Sequence, residues 1–99
     1  MIYKMTMENK VVERFLRYVR YHTCSDSTSG TTPSSAGQLE FAGALADELR
    51  NIGLQDVEVD PFGYVYATLP ANVEGITTVT GFVAHMDTSP DFTGTNVTP

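Results

Sequence analysis

His85 and Asp87 stand two residues apart in "GFVAHMDTSPD", residues 81–91, where an apolar run gives way to polar side chains. On extended backbone alternate residues project to one side, so the imidazole and the carboxylate share a face. That pairing has a chemical use. A metal-bound imidazole is ordinarily oriented by a group that accepts its other ring N–H, and a carboxylate there fixes the tautomer and makes the ring a better ligand. Asp87 suits that role, or one from which it influences a metal-bound water. A plainer account fits the same residues: a histidine that closes a core strand, then the Asp-Thr-Ser of a turn or helix cap. Spacing alone leaves both open. One imidazole and one carboxylate also fall short of the four ligands, or three and a water, that zinc takes.

His22, Cys24 and Asp26 form a second group with metal-ligating side chains. The alternative is that His22 sits at a helix C-terminus, where its charge is favoured, and that Cys24 packs under a loop as a small apolar residue. Tyr64 and Tyr66 read as aromatics packed on a strand rather than as ligand contacts.

The elements that must hold these residues follow from periodicity. Val12, Phe15, Leu16 and Val19 recur at helical spacing, with Glu8 and Glu13 early and Arg17 and Arg20 late, predicting an amphipathic helix over 7–22 capped by Thr6. "TCSDSTSGTTPSSAG" is a loop, because its small polar side chains compete for backbone hydrogen bonds. Ser35 and Gln38 have capping-box spacing ahead of Leu39, Ala42, Leu45, Ala46, Leu49 and Ile52, and Gly53 supplies a left-handed stop. A second helix over 35–52 is therefore predicted.

Val57 and Val59 alternate with acidic residues, and "DPFG" at 60–63 is a turn, so a hairpin with a second arm over 63–69 follows. "ITTVTGFVA", residues 76–84, is β-branched and apolar on both faces, the pattern of a central strand covered on both sides. The expected class is α/β, ordered helix-helix-strand-strand-strand, with a mixed sheet flanked by helices. In such sheets ligands bind beyond the carboxyl ends of the strands, where His85 and Asp87 fall.

Composition narrows the function. The 99 residues fit one small domain, and a net charge of −6 with only six Lys and Arg argues against nucleic acid, which draws affinity from clustered basic side chains. The acidic balance would not repel a free amino terminus or a metal ion. A single cysteine forms no internal disulfide, and "MIYKMTMENK" has no apolar signal-peptide core, so a cytoplasmic location is expected. No apolar run reaches the ~20 residues that cross a bilayer, so no membrane role is expected.

"PSSAGQLEFAGALADELRNIGL", "YATLPANVEG" and "HMDTSPDFTGTNVTP" occur in that order. Together they resemble the amino-terminal part of tripeptide aminopeptidases in the zinc-dependent M20 metallopeptidase family, from about Val11 to Pro99. The resemblance implies that His85 binds one of two zinc ions and that Asp87 is a catalytic-site aspartate supporting the metal centre. It also implies two zinc ions that polarise the first peptide carbonyl of a tripeptide and activate a water, with a glutamate as general base. The bridging aspartate, that glutamate and the remaining ligands would lie beyond positions matching Pro99.

Family members are several times longer and carry an inserted second domain that mediates pairing as a homodimer. Residues 1–99 would then be one part of a single catalytic domain, inactive alone and weak in zinc binding. Two alternatives stand beside this: a dipeptidase or deacylase of the same broad family, and a small non-catalytic α/β interaction domain in which His85 and Asp87 are structural.

Overall fold

In a computed structural model, which describes residues 7–99, the elements run α1 (Met7–Tyr18), α2 (Ala36–Ile52), β1 (Gln55–Val59) and β2 (Val65–Thr68). Helix α1 stops four residues before the predicted end. Val19 N–H still donates to the Phe15 carbonyl at 3.1 Å, but Arg20 and Tyr21 donate to Arg17 and Tyr18, three residues back. The last turn thus tightens to satisfy carbonyls that have no further helical partner. Thr6, the predicted cap, lies outside the described residues.

The second helix matches its expected limits. Gly53 takes the left-handed conformation (φ 104°), its N–H donates to the Leu49 and Arg50 carbonyls, and Leu54 N–H donates to Leu49 O at 3.1 Å. These bonds close the helix in the Schellman manner. At the start the capping box takes another form: the Ser35 hydroxyl caps no backbone N–H. Instead the Gln38 amide donates to the hydroxyls of Ser34 and Ser35, each at 3.1 Å. Phe41, Ala42 and Ala46 are the buried apolar residues of this helix.

The hairpin is antiparallel, pairing Gln55 with Thr68, Glu58 with Tyr66 and Val59 with Val65. Asp60 organises the turn: its carbonyl accepts from Gly63 N–H at 3.0 Å, and its Oδ1 accepts from Phe62 and Tyr64 N–H. An irregularity between Gln55 and Glu58 coincides with a positive φ of 50° at Asp56. Val57, Val59, Val65 and Ala67 are half-buried, while Glu58, Tyr66 and Thr68 are exposed. That alternation is the expected one, with α2 beside the hairpin.

The predicted central strand is the main correction. Residues 76–84 join no ladder among the described residues, and Phe82 and Val83 are 95% and 100% exposed. A β-branched sequence supplies propensity, but a strand exists only where a neighbour takes its N–H and C=O groups, and no described strand lies alongside. The mixed sheet is accordingly reduced to a two-stranded antiparallel one.

Helix α1 meets α2 through long side chains. Arg14 Nε and Arg17 bond Glu48 Oε1 at 2.7 and 2.6 Å, and the Tyr18 hydroxyl donates to Oε2 at 2.6 Å. The Tyr18 and Tyr21 rings pack on Phe41 with centroids 5.2 and 5.0 Å apart. Positions 14, 17, 18 and 21 form one helical stripe, so the apolar stripe of Val12, Phe15 and Leu16 is left exposed.

Candidate metal-binding site

Residues 81–87 run in an irregular course up to Thr88, exposed through His85 and half-buried at Met86 and Asp87, and the two predicted site residues are brought together there. His85 Nδ1 lies 2.9 Å from Asp87 Oδ1. A carboxylate accepts and cannot donate, so the Nδ1 nitrogen carries the proton, and Nε2 keeps the lone pair when the ring is neutral. The His85 side chain is 84% exposed and that of Asp87 42%. This is the arrangement of an oriented imidazole ligand, and it fits a zinc ion as one ligand of several.

Among the described residues no group of three His, Cys, Asp or Glu side chains could hold a metal ion. The second candidate group is therefore not assembled, and each member is occupied otherwise. His22 Nδ1 faces the Thr95 hydroxyl at 3.1 Å, and the Cys24 thiol donates to the Ser89 and Phe92 carbonyls at 3.2 and 3.5 Å. The Asp26 carboxylate accepts from the hydroxyl and N–H of Thr28, which hold it below its usual range. Neither plain alternative is quite what forms: helix α1 ends before His22, and Cys24 ties two loops together by hydrogen bonds.

What positions the corner is a short pairing not foreseen from the sequence. Cys24 and Thr88 form an isolated parallel bridge, in which Thr88 N–H donates to Thr23 O at 3.1 Å and Ser25 N–H donates to Thr88 O at 3.0 Å. The polar loop after α1 gave no periodic signal of a strand. A groove of about 570 Å³ lies elsewhere, between α1 and α2, lined by Arg14, Arg17, Tyr18, Tyr21 and Glu48. Both guanidinium groups there bond Glu48, so they tie α1 to α2 along this seam.

Partial burial works to raise the Glu48 carboxyl, but the Tyr18 hydroxyl and the two arginines outweigh it, leaving Glu48 below its ordinary value of 4.5. Burial first, and then the same hydrogen bond, push Tyr18 from 10.0 up to about 12. No helix among the described residues is long and apolar enough to cross a membrane.

No family model matches the chain. Curated relatives do match it. It is 56% identical over 90 residues to "Peptidase T" of Halothermothrix orenii, which covers 91% of this chain and 22% of that protein. It is 58% identical over 91 residues to "Peptidase T" of Caldanaerobacter subterraneus subsp. tengcongensis, covering 92% and 22%. With "Peptidase T" of Geobacillus kaustophilus it shares 53% identity over 93 residues, covering 94% and 23%. The chain thus spans less than a quarter of the length of these relatives. Across more than nine-tenths of its own residues, this chain is similar to a segment of peptidase T.

Proposed function

We propose that the chain is the amino-terminal part of the catalytic domain of a dinuclear zinc aminopeptidase that releases the first residue from tripeptides. The observation that carries this is the identity above 50% with proteins named peptidase T over nearly the whole chain. The His85–Asp87 geometry supports it, since a carboxylate is one of the groups that commonly orient a zinc-bound imidazole. In this assignment His85 contributes Nε2 to one zinc ion, and Asp87 holds the ring and its tautomer from the other side. Bound zinc supplies an electrophile for the scissile carbonyl and lowers the pKa of the attacking water. The general base and the remaining ligands come from residues outside these 99, and an inserted domain there pairs two copies. The whole enzyme works in the cytoplasm, and residues 1–99 alone are inactive.

The test has two steps. Reading the DNA downstream of Pro99 should show an open frame running into further acidic and histidine motifs. The purified full-length protein should then hydrolyse tripeptides at the first bond and ignore the same peptides with an acetylated amino terminus. Preferential cleavage of dipeptides or of acylated amino acids would move the protein to another activity of the same broad family. A stop codon after Pro99, with a folded product that cleaves nothing, would sink the peptidase assignment.

A further inference from the structure

We propose that residues 22–25 form a ledge that positions the His85–Asp87 pair from its downstream side, with Cys24 and Ser25 as positioning residues. The inference rests on the peptidase assignment and extends it to side chains that do not touch metal or substrate. Upstream of His85 the backbone of residues 76–84 has no ladder partner among the described residues, so no described strand pairing fixes the corner from that side. Downstream the situation is reversed.

Both backbone polar groups of Thr88, the residue after Asp87, are held by the ledge: its N–H by Thr23 O at 3.1 Å, its carbonyl by Ser25 N–H at 3.0 Å and Ser25 Oγ at 3.2 Å. The Cys24 thiol reaches further along, donating to the carbonyls of Ser89 and Phe92, and the His22 ring meets Thr95. Four consecutive residues thus hold the turn that follows Asp87. The ledge is itself fixed: Thr23 is only 4% exposed, and a Cβ at Gly37, in the first turn of α2, would collide with the His22 carbonyl. Helix α2, the best-formed element, therefore sets the height of the ledge, and the ledge sets Thr88 and Asp87. Reacting geometry is unforgiving, since a displacement of about 1 Å can cost about a hundredfold in rate.

The experiment uses the full-length protein with Ser25→Pro, which deletes the N–H donor to Thr88, and with Cys24→Ala and Cys24→Ser. Tripeptide kcat and KM, zinc retained per chain after dialysis and the thermal midpoint are measured, with His85→Ala as reference. Ser25→Pro should lower kcat about 10- to 100-fold and reduce retained zinc, with KM and the midpoint nearly unchanged. Cys24→Ala should lower kcat by less, and Cys24→Ser, which keeps a donor, should recover it. Wild-type kcat and zinc in Ser25→Pro and Cys24→Ala, beside loss of both in His85→Ala, would overturn the ledge and leave the peptidase assignment standing. Retention of zinc and activity in His85→Ala would remove that assignment, and the ledge inference with it. If Ser25→Pro does not fold, the cysteine pair decides: a kcat in Cys24→Ala equal to wild type contradicts the inference.

Discussion

An imidazole and a carboxylate two positions apart are useful only if the backbone between them keeps both on one side, and the 2.9 Å contact between His85 Nδ1 and Asp87 Oδ1 shows that it does. The carboxylate settles which ring nitrogen carries the proton, and so which one is left to bind. Asp87→Asn keeps an acceptor but removes the charge, so zinc affinity or activity of the full-length protein should fall about 10- to 100-fold, read by chelator competition and tripeptide turnover. An Asn variant with wild-type values would mean that Asp87 does not orient the ring. This pair was legible in the sequence, because it depends only on local spacing. The partners of His22 and Cys24 were not, since Thr95, Ser89 and Phe92 lie more than sixty residues away along the chain.

Among the elements, helix α2 and the hairpin were legible because their signals are local: an apolar stripe ended by Gly53, and alternating residues joined by the Asp60 turn. The strand expected over 76–84 does not form among the described residues, because its sequence carries propensity but no described strand lies alongside to pair with it. The α1–α2 seam was missed for another reason: the stripe that makes it is charged and aromatic, and the apolar stripe of α1 points away. Glu48 bonds three α1 side chains, so Glu48→Ala should loosen α1 by about 2 kcal/mol, seen as faster amide exchange in α1 with α2 unaffected.

The pH dependence of this seam follows from the direction of each shift. The folded-state pKa of Glu48 is depressed, so its contribution is present above the ordinary value of 4.5 and is lost as pH falls through the lower folded value. For Tyr18 the shift is upward, from 10.0 to about 12, so its contribution is complete below pH 10 and fades as pH rises toward 12. Amide exchange of α1 followed across these two windows should show loosening at both ends, and Glu48→Ala should remove the acid trend and weaken the alkaline one, because burial is the first cause of the Tyr18 shift.

At the scale of the whole chain, the radius of gyration of 16.2 Å exceeds the roughly 13 Å of a compact domain of about 100 residues. Among the described residues only Phe41, Ala42 and Ala46 are buried apolar side chains, whereas Val79, Phe82, Val83 and the α1 stripe face solvent. Surface of that kind binds hydrophobic dyes and drives association. Residues 1–99 in isolation should bind such a dye and sediment in a concentration-dependent way; a monomeric, dye-silent species with a cooperative unfolding transition would contradict this. The central claim, that His85 is a zinc ligand of a larger peptidase, is tested most directly by the zinc content of the full-length protein carrying His85→Ala. The account predicts that the purified variant loses zinc and tripeptide hydrolysis together while keeping its fold. A His85→Ala protein that retains its full zinc content and activity would contradict it.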